Sequence, residues 1–131
     1  MWLKSLKISL LFGLLLLFSC NKKDKFPEMK TGYYDVIDER DYPNGDTDTL
    51  YYKMVGPLKK DNTYYFIGEI NGSTLSKTFI LPNGRTTYVI NSEYVIFFIT
   101  DFSISSTELI VYQESDDSLG YKNKMTLTYI E

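Results

Sequence analysis

Turn punctuation constrains this chain more than any other feature. From Gly32 onward, short runs rich in tyrosine and β-branched residues are cut at close intervals by Asn, Gly, Asp and Ser. Many short strands at such spacing predict an all-β sandwich or barrel. The runs are Gly32–Ile37, about Thr49–Val55, Thr63–Ile70, Thr74–Leu81, Arg85–Ile90, Glu93–Ile99, Glu108–Glu114 and Tyr121–Ile130. The stretch Asp38-Glu39-Arg40-Asp41 ends the first run, Pro43-Asn44-Gly45-Asp46 is a turn, and Gly56-Pro57 stops the second run. Lys59-Lys60-Asp61-Asn62 and Ser115-Asp116-Asp117-Ser118 are further turns. Asn71-Gly72 joins the third and fourth runs, and Asn83-Gly84 opens another hairpin into Arg85, because Asn-Gly supplies the positive φ that a tight hairpin needs. About eight strands with short connections predict one antiparallel domain. No apolar i, i+3, i+4, i+7 stripe is long enough for an amphipathic helix after Gly32.

Phase assigns the faces. Leu109 and Val111 share one face, as do Met125, Leu127 and Tyr129, with Thr126 and Thr128 opposite, so the last hairpin is half buried. Tyr94-Val95-Ile96-Phe97-Phe98-Ile99 is apolar on both faces. A strand covered on both sides is the expected reading; the alternative is an exposed apolar surface that meets a partner or a bilayer. Tyr51, Tyr52, Tyr64, Tyr65 and Phe66 put rings on both faces of two neighbouring strands, so one set lines the interior and the other faces solvent or a contact.

The N-terminus carries an address. Lys4 and Lys7 precede an apolar run from Ile8 to Phe18, and Ser19 stands before Cys20; charged, apolar and small-residue regions in that order read as a secretory signal. The run is short of the ~20 residues of a membrane-spanning helix. Leu17-Phe18-Ser19-Cys20 resembles the lipobox of bacterial lipoproteins. That resemblance implies cleavage before Cys20 and acylation of its thiol and new amine. Each buried CH₂ contributes ~0.8 kcal/mol, and two chains suffice for stable anchoring. Asn21 follows where aspartate would retain a lipoprotein in the inner membrane, so the resemblance implies the outer membrane of the cell envelope. The expected organisation is a signal peptide over 1–19, an acylated flexible tether over 20–30 and an antiparallel β domain over 31–131. Lys22, Lys23, Asp24 and Lys25 give that tether charge and no apolar residue.

Charge and residue inventory narrow the function. The chain has 131 residues, and loss of the first 19 leaves 112, a single domain by length. Two of the 14 basic residues and none of the 17 acidic ones lie in that segment, so the remainder carries 12 basic against 17 acidic groups. An excess of acid argues against nucleic acid, whose phosphates need clustered Lys and Arg. Cys20 is the only cysteine, so no disulfide forms within the chain, and there is no histidine. The absence of histidine removes the usual triads and the commonest transition-metal ligand.

Closing a meander removes the edge strands that invite aggregation, and eight strands is the size that fills with side chains or holds one small ligand. Gly32-Tyr33-Tyr34 stands on the first strand where lipocalins and short lipocalin-like lipoproteins carry Gly-x-Trp, with Tyr34 in place of the tryptophan. The segment Ile104 to Tyr129, with Ser106-Thr107-Glu108-Leu109-Ile110-Val111 leading into a hairpin, also resembles the end of such proteins. The resemblance implies a lipocalin-like barrel that binds a small apolar or amphipathic molecule; a two-sheet β-sandwich is the alternative. The candidate ligand-binding residues are Leu50, Tyr52, Met54, Tyr64, Phe66, Val111, Leu127 and Tyr129.

Other chemistries are weaker. Asp38, Glu39, Asp41, Asn44, Asp46 and Asp48 are dense enough in oxygen for Ca²⁺. With Gly45 as the required glycine, however, the first and third EF-hand positions fall on Arg40 and Tyr42, so a solvated connection with Asx turns is expected. Glu69 and Glu93 could form a carboxylate pair only by facing one lumen. Ser103, Ser105, Ser106 and Thr107 have no base to activate them, and turn chemistry accounts for them. The expectation is no enzyme, no catalytic residue, no metal and no cofactor. Partners are the membrane, through the acyl chains on Cys20, and a small apolar ligand. The rival is a protein-binding module, such as an envelope complex subunit or an inhibitor of a toxin or enzyme, using exposed acids and tyrosines. A lectin-like site of tyrosines near acids is a third, unlocalised idea.

Overall fold

Buried and exposed residues alternate strictly along Tyr34–Glu39, with Tyr34, Val36 and Asp38 inside. The same period of two runs through every other strand and sorts the chain into an interior and an exterior. In a computed structural model describing residues 26–116 and 119–131, the strands are β1 (Gly32–Asp41), β2 (Thr47–Lys60), β3 (Thr63–Ile70), β4 (Ser73–Ile80), β5 (Arg85–Ile90), β6 (Glu93–Ile104), β7 (Glu108–Ser115) and β8 (Lys122–Tyr129). They form one antiparallel sheet in the order β4-β3-β2-β1-β8-β7-β6-β5. Pairing of β1 with β8, with Val36 opposite Leu127, curls the sheet into a barrel rather than a sandwich. The expected all-β, eight-stranded, lipocalin-like form is therefore what the chain adopts. The stretch 1–19, where a signal peptide is expected, and Cys20, the expected lipidation site, lie outside the described residues.

Two-residue turns set the hairpins. Asn71 and Gly72 both take positive φ (52° and 81°), and Asn91 and Ser92 do likewise (51° and 68°), the type I′ geometry that matches strand twist. Three expectations change. Asp38–Asp41 belong to β1, where the pairing with β8 runs on to Asp41 opposite Lys122. Gly56-Pro57 does not end β2; the register slips between Val55 and Leu58, so Pro57, which has no N–H to donate, sits in a bulge and the strand continues. Asn83-Gly84 does not make a hairpin of β4 and β5. Leu81 turns into the core, its N–H donating to Asn62 O (2.9 Å), and β5 takes β6 as its hydrogen-bonded neighbour. An unzipped seam is left between β4 and β5, crossed by Thr86 Oγ1 donating to Thr78 O at 3.4 Å.

The interior divides along the barrel axis. At the end holding the start of β1 and the finish of β8, the core is apolar: Tyr34, Phe66, Phe79, Leu109 and Leu127 are buried, with T-shaped ring contacts joining Tyr34 to Phe66 (5.4 Å) and Phe66 to Phe79 (6.2 Å). Full burial of each large apolar side chain contributes ~1.5–3 kcal/mol. Phe26–Lys30, assigned by sequence to the tether, lies against this end. Phe26 meets Phe102 edge-on at 5.3 Å, Met29 is buried, and Tyr34 Oη donates to Lys30 O. The opposite end, where β1 finishes and β8 begins, is polar and open.

Only one face of β6 is covered. Val95, Phe97 and Ile99 point inward, while Tyr94 is 80% exposed and Ile96 is exposed beside it. A barrel wall has a single interior, so the expected burial on both faces does not occur.

Candidate functional site

Three charges occupy inward positions at the open end. On β1 the phase that buries Tyr34 and Val36 also carries Asp38 and Arg40; on β4 the phase of Leu75 and Phe79 carries Lys77. Asp38 is fully buried, and its oxygens are saturated. Oδ2 accepts from Tyr52 Oη (2.9 Å) and Arg40 Nη2 (3.0 Å); Oδ1 accepts from Arg40 Nε (3.3 Å) and Asn123 Nδ2 (2.5 Å). A buried carboxylate survives only with such compensation. Burial alone would raise its carboxyl, but hydrogen bonds and charge from Arg40, with the charge of Lys77, hold it below the usual carboxylate range. Burial first, and then Asp38, pushes the Tyr52 hydroxyl far up, so it stays a donor.

Lys77 is only 5% exposed. Its ammonium sits 4.3 Å from the centroid of the Tyr88 ring, a cation–π contact that replaces part of its lost hydration. Burial lowers it to about 8, a pull that the Asp38 charge opposes and that of Arg40 reinforces. Tyr88 Oη donates to Gln113 Oε1 (3.2 Å), and its ring packs edge-on against Phe97 at 5.0 Å. Gln113 Nε2 is buried without a hydrogen-bond partner. Among the described residues this layer holds one buried carboxylate against two cations.

Above it lies a cavity of about 310 Å³, at the small end of the range for ligand pockets. Arg40, Lys77 and Asn123 form its polar floor; Leu75, Ile90, Phe97 and the rings of Tyr42, Tyr88 and Tyr121 form the apolar part of the wall. Asp41, Val89 and Lys122 complete the lining. Tyr121 is held edge-on by Tyr42 at 6.1 Å and lies 6.2 Å from Phe97.

The eight ligand-binding residues expected from sequence all point inward. Tyr52, Met54, Tyr64, Phe66, Val111 and Leu127 are buried, with Leu50 and Tyr129 packed against them. They build the core beneath the cavity rather than its wall; Tyr52 reaches the polar layer through its hydrogen bond to Asp38, and Leu50 stands opposite Asp38 on β2. Among the residues that line the cavity, the one sequence signal is a charge in an inward phase: Lys77 between Leu75 and Phe79, and Arg40 continuing the phase of Tyr34, Val36 and Asp38.

The other candidates separate. Of the acidic stretch, Asp38 is not a solvated loop residue, whereas Asn44 and Asp46 make the expected Asx turn, Asp46 N donating to Asn44 Oδ1 at 3.0 Å. Among the described residues no group of three His, Cys, Asp or Glu side chains is placed to hold a metal. Glu69 and Glu93 are both exposed. Glu69 shares the outward phase of Ile67, so the two do not face one lumen. Ser105 Oγ accepts from the N–H groups of Thr107 and Glu108 (3.3 and 3.1 Å), which is turn chemistry.

Comparison with protein-family models, curated proteins and solved structures finds no match to this chain. The barrel and its polar layer are therefore what speaks for function.

Proposed function

We propose that this chain is a lipid-anchored protein of the bacterial cell envelope, attached through Cys20 to the outer membrane, whose barrel carries a small apolar or amphipathic molecule. The observation that carries the reading is the cavity of about 310 Å³ at the open end, roofless and walled by rings and aliphatic side chains over a polar floor. A roofless space of this kind holds water or a ligand, and its ring-rich wall over polar groups suits a ligand with apolar surface. The chain's approach suits an anchored carrier. Phe26–Lys30 enters at the apolar end, so a tether from Cys20 leaves the mouth on the far side of the domain from the membrane. No catalytic role is part of this reading.

The test is native mass spectrometry on the full chain extracted from the envelope. A reproducible extra mass that leaves on denaturation is expected; a bare protein that also takes up no apolar probe would overturn the carrier reading.

A second reading, a protein-binding module, is favoured by one observation. Tyr33, Val55 and Ile67 stand in register across β1, β2 and β3 on the exterior, each about half exposed, with Tyr51 72% exposed nearby on β2. Capture of an envelope protein by the full chain, lost on Val55→Asp, would support it.

A further inference from the structure

The charge of the polar layer is not closed. Asp38 spends both oxygens on Arg40, in a two-point pair, and on Tyr52 and Asn123. The Lys77 ammonium makes no hydrogen bond or ion pair to any described residue, although the residue is buried and lines the cavity. The ring face of Tyr88 and the through-space charge of Asp38 offset only part of what burial costs this ammonium, which lacks direct hydrogen bonds. Neither nearby anion bonds it directly: Asp38 acts on it through space while its oxygens are spent on other donors, and Asp41 is exposed at the rim.

We propose that the cavity binds a small monoanionic amphiphile, its acid head paired with Lys77 on the polar floor and its apolar body lying against Leu75, Ile90, Phe97 and Tyr121. This deepens, and rests on, the carrier reading above. One negative charge is the number that fits, because one cation of the layer is unmatched; a dianionic phosphate would leave a buried excess of negative charge. Size follows from volume. At the ~30 Å³ that a water takes in the liquid, the cavity has room for about ten non-hydrogen atoms, the size of an eight-carbon monocarboxylic acid. The Asp38–Arg40 pair serves as a fixed wall for the head. Asn123 Nδ2 is spent on Asp38 and Glu39 O (3.2 Å), so specificity falls to Lys77.

The experiment titrates octanoate, 1-octanol and octylammonium into the full chain, held in a sterol-based detergent too bulky for the cavity, with calorimetry as the readout. Octanoate should bind at least tenfold more tightly than 1-octanol, and octylammonium not at all. Lys77→Met should lose tenfold or more for octanoate while keeping 1-octanol, and Lys77→Arg, which restores a cation, should recover most of the loss. Circular dichroism of both variants confirms that the barrel is intact. If octanoate and 1-octanol bind alike, or Lys77→Met binds octanoate unchanged, the anionic assignment is overturned and the carrier reading stands. If none of the three binds, the carrier reading falls and takes this assignment with it.

Discussion

Lys77 and Tyr88 touch across the one place where the barrel is not zipped. Lys77 lies on β4 and Tyr88 on β5, neighbours that share no ladder of backbone hydrogen bonds, and the ammonium stands 4.3 Å from the ring centroid. A cation–π contact and the Thr86–Thr78 hydrogen bond thus span an opening that every other pair of adjacent strands closes with its main chain. Tyr88→Leu keeps the apolar contact with Phe97 but removes the ring under Lys77 and the hydroxyl on Gln113. We expect a loss of about 1–2 kcal/mol. Hydrogen exchange should accelerate first at the facing edges of β4 and β5, with little change in β1 and β8 at the same denaturant concentration.

Stability should rise from about pH 8 toward pH 10. Burial holds Lys77 near 8 in the folded chain, against 10.5 for a lysine in water; between those values the unfolded chain binds a proton that the folded one does not, so the slope is positive. The groups acting on Lys77 are Asp38 and Arg40 on β1 and the ring of Tyr88 on β5, with Tyr52 on β2 bonded to Asp38. Asp38 and Arg40 keep their charges in this window. The tyrosines act at its upper edge: burial, chiefly, raises Tyr88 to about 12, and Tyr52 is raised as well, so above pH 10 their ionisation favours the unfolded chain. Chemical denaturation across pH 7 to 11 should therefore show a maximum near pH 10. Lys77→Met should flatten the rise and add about 2–3 kcal/mol at pH 7, since each tenfold change in proton affinity corresponds to ~1.4 kcal/mol.

Asp38→Asn should be the most damaging conservative change at the site. It leaves Arg40 and Lys77 facing each other without a carboxylate and turns one acceptor oxygen into a donor beside Tyr52 and Asn123. Removing one partner of a buried pair costs about 3–5 kcal/mol; Arg40 is partly exposed, so about 3 is expected. Because Asp38 is held low, its contribution in the native chain is present above the ordinary carboxylate range and is lost as the pH falls through its folded value. The variant should therefore unfold at lower urea at pH 7 and show a weaker acid transition than the native chain.

What the sequence conveyed follows from what period and turn chemistry can encode. Strand positions and faces were legible because inward positions repeat at two through Tyr34, Val36 and Asp38, through Leu109 and Val111 and through Met125 and Leu127, and because Asn71-Gly72 has only one economical conformation. The seam was not, since Asn83-Gly84 specifies a local bend and not whether the flanking strands pair; that was decided by Leu81, which buries itself in the core instead of continuing the ladder. The polar layer was concealed by composition. Asp38-Glu39-Arg40-Asp41 reads as a solvated stretch, whereas the phase shared by Tyr34, Val36 and Asp38 puts a charge indoors. Partners such as Asn123, 85 residues away in sequence, cannot be read from any window.

Gly32 is fixed by close approach rather than by its own torsion. A Cβ there would lie 2.3 Å from Glu131 O and 2.9 Å from a ring carbon of Tyr129, where the chain's end crosses the start of β1 and Tyr33 N donates to Glu131 O at 2.6 Å. Gly32→Ala should cost about 1–3 kcal/mol, as overpacking does. The C-terminal residues should lose exchange protection, while exchange around the cavity at the far end stays unchanged.

Cys20→Ala tests the anchor apart from the barrel. If the thiol takes the acyl chains, the native chain should sediment with membranes, resist extraction by high salt and carry the mass of its lipids, since two or more chains hold a protein with little exchange. The alanine variant should lose that mass and any label from radioactive palmitate, while the barrel and the Phe26–Phe102 contact at its apolar end keep the native melting profile. A palmitate label that persisted in Cys20→Ala would place the lipid elsewhere. An unlabelled native chain that still sediments would mean that the apolar run before Cys20 itself holds the protein in the membrane.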